Sequence, residues 1–146
     1  MTSLTKEEQI RYHRQLIIPQ VGEEGQEKLK NASVLVIGAG GLGSPVLLYL
    51  AAAGVGTIGI VDNDIVDTGN LQRQVIYNTA DTGRQKAVAA AEKISLLNPH
   101  INIKPFPVRL TKDNAGELLS GYDIAVDCCD NFATRYVLSD ATLKAG

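Results

Sequence analysis

Short apolar runs alternate with longer segments along the chain, and this alternation predicts a sheet with helices packed around it. Continuous apolar runs that end in turn residues are typical of parallel strands, which are buried on both faces. They predict four strands, at residues 33–37, 57–61, 101–108 and 123–127. Pro105 and Pro107 lack a backbone N–H, which favours an edge position for the third strand. Helices are predicted between and after the strands, at residues 42–53, 79–97 and 131–145.

Two more helices are predicted before the first strand. Residues 5–17 form an amphipathic pattern that opens with a capping box, in which Thr5 and Glu8 satisfy each other's backbone N–H groups. A shorter helix is expected at residues 20–31. We therefore predict an N-terminal helical segment, residues 1–31, and one α/β domain, residues 32–146, with a Rossmann-like, doubly wound, mostly parallel sheet. Because the last predicted helix is followed by no further strand, we expect this domain to be incomplete and the chain to be truncated.

Composition and charge exclude several classes of protein. Hydrophobic residues make up 45% of the chain and charged residues 21%, and no apolar stretch approaches the roughly 20 residues of a membrane helix. The net charge of −2 gives no general attraction to nucleic acid or anionic membranes. The N-terminus is polar and partly acidic, unlike a secretory signal, so we expect a cytoplasmic protein. The adjacent Cys128 and Cys129 suit neither a long-range disulfide nor a zinc clip and are predicted to be buried.

The segment between the first strand and the next helix predicts a phosphate-binding turn. Its sequence, Gly38-Ala39-Gly40-Gly41-Leu42-Gly43, is a GxGxxG fingerprint in the strand-to-helix context that binds nucleotides. The alternative is a tight turn that needs glycine for positive φ and close packing. Asp62 ends the second strand, 19 residues beyond Gly43, where a carboxylate commonly binds ribose hydroxyls. Asp64 either reaches the same site or belongs to an ordinary turn.

Further charged residues separate this site from that of an NAD-dependent dehydrogenase. The fingerprint is followed by Ser44-Pro45 instead of the lysine of a Walker loop, so a triphosphate needs cations from elsewhere. Asn70 and Arg73 are three residues apart and would share one face of a helical turn. They and Lys86 are candidates for phosphate binding, although Arg73 or Lys86 taken alone could be a solvated surface charge. Asp130 follows the fourth strand and could hold magnesium, cap the helix that begins near Asn131, or do both.

Taken together, the motifs resemble those of the MoeB/ThiF family, relatives of the ubiquitin-activating enzymes. The matching blocks are Arg11-Tyr12-His13-Arg14-Gln15, the turn from Gly38 to Pro45, Asp62-Asn63-Asp64, Asn70-Leu71-Gln72-Arg73-Gln74, and Cys129-Asp130-Asn131 with Thr134-Arg135. The resemblance implies the following site. The turn from Gly38 to Gly43, with Gly40 and Gly41, cradles ATP, Asp62 binds the ribose, Asn70, Arg73 and Lys86 hold the phosphates, and Asp130 positions Mg²⁺. Arg14 is implied to reach into the nucleotide site of a neighbouring protomer, which makes the enzyme a homodimer.

The activity implied by this resemblance is ATP-dependent adenylation of the C-terminal glycine of a ubiquitin-like sulfur-carrier protein, in molybdopterin or thiamine biosynthesis. The carboxylate would attack the α-phosphorus in line and pyrophosphate would leave, with Arg14, Arg73 and Asp130 assisting. Structural zinc is expected only in the family's C-terminal part, which this sequence does not contain. Three alternatives stay open: a relative that activates another carboxylate, on a transfer RNA or a peptide; an NAD-dependent dehydrogenase domain; and a non-catalytic nucleotide-sensing or dimerisation module.

Overall fold

The computed structural model describes residues 3–145 and contains a four-stranded parallel sheet. The strands are β1 (Ser33–Ile37), β2 (Thr57–Val61), β3 (Asn102–Phe106) and β4 (Ile124–Asp127), in the order β3-β2-β1-β4. The central strand β1 pairs with β2 and with β4, and Val34 lies opposite both Ile58 and Ile124. The prediction of a doubly wound, Rossmann-like α/β fold is confirmed, and β3 is an edge strand, as its prolines indicated.

Seven α-helices occur within residues 3–145. They are α1 (Lys6–Arg11), α2 (His13–Leu16), α3 (Gly22–Asn31), α4 (Gly43–Ala53), α5 (Lys86–Leu97), α6 (Ala115–Leu119) and α7 (Phe132–Ala145). Successive residues of β1 point to opposite faces of the sheet. Val34 and Val36 belong to one buried cluster together with α4 and α5, whereas Leu35 and Ile37 belong to another together with α6 and α7. No helix within the described residues has the length and hydrophobicity to cross a membrane.

The N-terminal helices are fixed to the domain by a buried polar contact. Tyr12, which is 2% exposed, accepts a hydrogen bond of 2.7 Å at its hydroxyl from Asn98 Nδ2, and the same amide donates to the carbonyl of Ala51 at 2.7 Å. Gly54 ends α4 with φ +86°, and a Cβ there would overlap the Tyr12 ring. The division into a segment 1–31 and a domain 32–146 stays a prediction.

Two predicted helices are wrong in part. Residues 5–17 form two helices, α1 and α2, which meet at Tyr12, although the capping box of Thr5 and Glu8 is present as expected. The helix predicted at 79–97 begins only at Lys86, because Asn78 and Asp81 cap a single 3₁₀ turn and Gly83 then adopts φ +85°. Backbone hydrogen bonds join Gly83 and Arg84 to Val66, which holds this stretch extended.

The remaining differences are shifts of element ends and one omission. Helices α3, α4 and α7 begin one or two residues later than predicted, and β3 and β4 are shorter than predicted. The short helix α6 was not predicted. It is five residues long, and its buried residues, Ala115 and Leu119, pack against the second hydrophobic cluster. A pattern with so few apolar positions carries too little periodicity to be recognised.

Candidate functional site

A cleft of about 620 Å³ lies where the strands end, at the carboxyl edge of the sheet. This is where open α/β proteins bind their ligands. The cleft is lined by the turn after β1, the residues after β2, the loop after β3 and the turn after β4. It brings together most of the predicted site residues, namely Gly38, Gly40, Gly41, Asp62, Asp64, Arg73, Lys86 and Asp130. Gly43, Asn70 and Arg14 do not line it.

The glycine turn contains two kinds of glycine. Gly38 has φ +95°, and a Cβ there would lie 2.8 Å from the carbonyl oxygen of Cys128; a Cβ on Gly43 would overlap the carbonyl oxygen of Gly38. These two are therefore required by the tight turn itself. Gly40 and Gly41 are different, because a Cβ on either would make only ordinary contacts, at 3.5 Å, with the side chains of Gln74 and Arg73. The tight-turn explanation thus accounts for Gly38 and Gly43 but not for Gly40 and Gly41, whose contact with a bound nucleotide stays a prediction.

Asp62 connects the end of β2 to the glycine turn. One carboxylate oxygen accepts the backbone N–H of Ala39 at 2.7 Å, and the other accepts that of Asp64 at 2.8 Å. Burial raises the pKa of Asp62 above its usual value, against the two backbone hydrogen bonds and the charge of Lys86, which lower it. An ionised carboxylate has about four acceptor positions, so Asp62 can hold the turn and still accept hydrogen bonds from a ligand.

Lys86 places a buried positive charge at the first residue of α5. Its side chain is 6% exposed and its Nζ lies 3.2 Å from Oδ2 of Asp64, whose side chain is 64% exposed. Lys86 is therefore not the solvated surface charge that was its alternative interpretation. A buried ammonium is costly unless it is paired, and this one has one exposed carboxylate as its ion-pair partner. An anion in the cleft would supply further compensation.

Asn70 and Arg73 lie on one helical turn, as their spacing predicted. The turn follows the 3₁₀ helix Thr68–Asn70, which Asp67 caps. Arg73 Nη2 donates to Asn70 Oδ1 at 3.0 Å, and the guanidinium group remains exposed at the cleft. Asn70 does not itself line the cleft, but its side chain contacts the Arg73 guanidinium there, and its binding to phosphate stays a prediction.

Asp130 is an exposed cleft residue, and its side chain has no hydrogen-bond or ion-pair partner among residues 3–145. The cap of α7 is Asn131, whose Oδ1 accepts the backbone N–H of Thr134 at 2.9 Å. The interpretation of Asp130 as the helix cap is therefore wrong. Within the described chain, no cluster of three or more His, Cys, Asp or Glu side chains could hold a metal. A single free carboxylate fits Mg²⁺, which is commonly held by one or two carboxylates together with phosphates and water.

Other residues of the cleft were not assigned to the site from the sequence, among them Gln74, Val108, Arg109, Leu110, Cys128, Asn131 and Thr134. Gln74 is four residues after Asn70, and that spacing would have placed it on the same turn. Nothing in the sequence marks the loop 108–110, because no motif covers it. Cys128 and Cys129 are buried as predicted, and burial raises the pKa of both thiols, so neither is an activated nucleophile. Arg14 is exposed on α2, outside the cleft.

The strand order, the glycine turn and the cleft define a Rossmann-like α/β protein whose ligand site lies at the carboxyl ends of its strands. The chain belongs to the ThiF family, whose profile matches residues 12–146. It is 57% identical, over 97% of its length, to a sulfur carrier protein adenylyltransferase of Thermus thermophilus. It is 58% identical, over 99% of its length, to a probable adenylyltransferase/sulfurtransferase MoeZ of Mycobacterium tuberculosis.

The chain spans 52% of the length of the first of these relatives and 37% of the second. Among solved structures, it is similar to the E. coli tRNA N6-threonylcarbamoyladenosine dehydratase TcdA in complex with ATP, with a TM-score of 0.92 and 26% sequence identity. That match covers 99% of this chain and 59% of the other. The family relationship, the adenylyltransferase names of the relatives and the α/β fold therefore agree with the resemblance found in the motifs.

Proposed function

We propose that this chain carries the ATP site of an adenylyltransferase that activates the C-terminal glycine of a ubiquitin-like sulfur-carrier protein, in molybdopterin or thiamine biosynthesis. The observation that carries the proposal is the content of one cleft. An open glycine turn, a ribose acceptor at Asp62, two cations at Arg73 and Lys86, and an unengaged carboxylate at Asp130 line the same space. A dehydrogenase site would explain the glycine turn and Asp62 but would leave Arg73, Lys86 and Asp130 unexplained.

The chemistry assigned to these residues is transfer of the adenylyl group to a carboxylate. A carboxylate oxygen of the carrier forms a bond to the α-phosphorus while the bond to the bridging oxygen breaks, and the electron pair leaves with pyrophosphate. The attacking carboxylate is already ionised, so no protein base is needed. Arg73 and Lys86 stabilise the charge that develops on the phosphate oxygens, and the glycine turn with Asp62 fixes the nucleotide. Bound at Asp130 and the phosphates, Mg²⁺ would neutralise further negative charge.

We also propose that the protein is a cytoplasmic homodimer in which Arg14 of one subunit reaches the nucleotide site of the other. Arg14 is exposed on α2 and lies outside the cleft of its own chain, and no hydrogen bond or ion pair of its side chain occurs within residues 3–145. Its helix is rigidly attached, because the neighbouring Tyr12 is buried and bonded to Asn98. Because the backbone of this helix is already ordered, contact with a second subunit would restrict only the Arg14 side chain itself, which keeps the entropy cost of the contact small.

The sulfur-carrier acceptor is favoured over the other carboxylates by sequence similarity. The relatives named for sulfur carriers or sulfurtransfer are 57% and 58% identical, whereas the structurally similar tRNA dehydratase is 26% identical. A nucleotide site can be shared by enzymes with different acceptors, so the acceptor must be tested by itself.

The first test is a calorimetric titration of the chain with ATP and Mg²⁺, repeated with NAD. We expect saturable, magnesium-dependent binding of ATP and no heat from NAD. Arg73→Ala should weaken ATP binding, and Asp130→Ala should remove its dependence on magnesium, each without a change in the melting temperature. Binding of NAD in place of ATP, or wild-type affinity in both variants, would contradict the proposed site.

The role of Arg14 is tested in the full-length enzyme by mixing two inactive variants. Arg14→Ala and Asp130→Ala subunits should exchange into hybrid dimers that contain one intact site, so pyrophosphate release on addition of the carrier should recover. Recovery should be absent when either variant is mixed with itself. If the hybrid mixture also stays inactive although exchange is verified, Arg14 acts within its own chain or has no role.

A further inference from the structure

Gln74 is a polar cleft residue whose side chain has no structural explanation within residues 3–145. The residue is 4% exposed, its Oε1 has no hydrogen-bond partner, and its Nε2 donates no hydrogen bond within the described chain. Gln26 is a useful contrast, because it also has an unpartnered Oε1 but donates through Nε2 to the carbonyl of Ala53 at 2.9 Å. Buried amides are normally bonded, so an amide that bonds to nothing in its own chain points to a missing partner.

The position of Gln74 is fixed by its backbone. Its N–H donates to the carbonyl of Asn70 at 3.0 Å, and its own carbonyl accepts the N–H of Tyr77 at 3.2 Å. Its side chain reaches the glycine turn, where Nε2 lies 3.5 Å from the place that a Cβ on Gly40 would occupy. The preceding residue, Arg73, lies equally close to the corresponding place at Gly41. Two consecutive side chains, both with N–H donors, therefore lie beside the two open glycines of the turn.

The chemistry of the missing partner follows from this location. Phosphate oxygens accept hydrogen bonds and donate none when ionised, and a primary amide has two N–H donors to offer. The donor atom Nε2 is already the end of the amide that lies beside Gly40. A hydrogen bond from a neutral donor to an anion is also stronger where water is excluded. We propose that Gln74 donates a side-chain hydrogen bond to a phosphate oxygen of the bound nucleotide, beside Arg73. This inference rests on the proposed function and adds an orienting residue to the cations Arg73 and Lys86.

Gln74→Met provides the sharpest test, because methionine has nearly the same shape and no hydrogen-bonding groups. We expect ATP to bind about tenfold more weakly to this variant, the loss typical of one hydrogen bond to a charged group. The melting temperature without nucleotide should be unchanged or higher, because an unpaired buried amide has been replaced by an apolar group. A purely structural glutamine would give the opposite pattern, with reduced stability and unchanged affinity, and that result would overturn the inference.

Two further variants complete the design. Gln74→Glu keeps the shape and places a negative charge beside the phosphates, so it should weaken ATP binding more than Gln74→Met does. Gln72→Met is the matched control, because Gln72 is an exposed glutamine of the same segment, bonded through Nε2 only to the carbonyl of Gly69 at 3.3 Å. It should bind ATP as tightly as the wild type. Wild-type affinity in Gln74→Glu, or an equal loss in Gln72→Met, would contradict the specific role of Gln74.

A comparison of nucleotides locates the contact. Adenosine lacks phosphates, so the wild type and Gln74→Met should bind it with the same affinity. ADP and ATP should both bind more weakly to Gln74→Met than to the wild type. An equal loss for adenosine would place the contact on the nucleoside and overturn the inference while leaving the proposed function intact. Absence of ATP binding by the wild type would be seen first, in the unmutated chain, and would overturn the proposed function together with this extension of it.

Discussion

The glycine turn and Asp62 are held in the cleft by the fold, whereas Arg73 and Asp130 reach the same cleft from exposed positions. In the first group, which we call the turn group (Gly38, Gly43 and Asp62), each residue meets backbone atoms that leave it no other arrangement. In the second, the loop group (Arg73 and Asp130), one side chain has a single hydrogen bond to Asn70 and the other has no partner within the described residues. We therefore expect substitutions in the turn group to change both stability and ATP binding, and substitutions in the loop group to change ATP binding alone.

The largest effect is expected at the turn group, from Gly43→Ala. The new Cβ would overlap the carbonyl oxygen of Gly38, a backbone atom of the residue directly after β1, whose N–H is bonded to the carbonyl of Val61 at 2.8 Å. The free energy of unfolding should fall by roughly 3 kcal/mol, in the range of severe overpacking. Gly41→Ala is the matched control, because its Cβ meets only Arg73 at ordinary distance, and its stability should stay within about 0.5 kcal/mol of the wild type. Urea denaturation measures both, and equal stabilities would contradict the distinction between the two glycines.

A comparison of two carboxylates should give the next largest effect. Asp62→Ala leaves the N–H groups of Ala39 and Asp64 without their acceptor, which should cost about 2 kcal/mol of unfolding free energy as well as ATP affinity. Asp130→Ala removes a side chain without a partner in the described chain, so its unfolding free energy should stay within about 0.5 kcal/mol of the wild type. Thermal melts in parallel with ATP titrations separate the two. A loss of stability at Asp130 comparable to that at Asp62 would mean that the loop group is structural too.

The same contrast explains what could be predicted from the sequence. Strands β1 and β2 match their predicted ranges, because apolar runs bounded by glycine and aspartate leave few alternatives. The positions of Asp62 and Asp130 follow from the rule that parallel strands all end at one edge of the sheet. The prediction from the local sequence pattern was wrong just before α5, where a helix was expected. There, residues 83–85 pair with residues 65 and 66 instead. Because the two paired segments are distant in sequence, the periodicity of either segment alone could not predict the pairing.

The burial of individual polar side chains also could not be predicted from the sequence. Lys86 and Gln74 are polar residues that would be expected at the surface, yet they are 5% and 4% exposed. Their burial follows from where the loop between β2 and α5 crosses the glycine turn, which is a tertiary arrangement. The free carboxylate of Asp130 could not be distinguished from a helix cap until Asn131 was seen to fill that role.

The ion pair of Lys86 with Asp64 joins a buried residue to an exposed one. Substitution of the two residues should therefore change the free energy of unfolding by different amounts. Asp64→Ala leaves the buried ammonium without the carboxylate 3.2 Å away, which should lower the free energy of unfolding by roughly 1 kcal/mol, a value reduced by the exposure of Asp64. Lys86→Met leaves behind only an exposed carboxylate and should be neutral within about 0.5 kcal/mol, although ATP binding should be lost. Urea denaturation of both variants at low salt measures the difference. The reverse order of stabilities would show that the burial of Lys86 is not compensated by Asp64.

The smallest effect is a difference in pH dependence between Asp62 and a structural carboxylate, Asp81. Burial raises the pKa of Asp81, but hydrogen bonds from the backbone of Asn78 and from Lys93, with the charges of Lys93 and Arg84, outweigh it and set the pKa below the ordinary value of 3.8. The stabilisation from Asp81 is thus complete above the unfolded pKa and is lost as the pH falls through the lower folded value. Asp62 has the opposite sign, because its raised pKa means that the folded protein takes up its proton more readily than the unfolded chain.

Unfolding free energies measured between neutral pH and about pH 3 should therefore separate the two residues, since linkage makes the slope depend on the protons bound in each state. Asp81→Asn should be less stable at neutral pH and should lose less stability on acidification than the wild type, because the group that must be protonated is gone. Asp62→Asn should lose more on acidification than the wild type, since the group that favours folding at low pH is gone. Asp140→Asn, at an exposed position on α7, should leave the slope unchanged. Parallel slopes for all three variants would mean that neither buried carboxylate is coupled to folding in the way its contacts indicate.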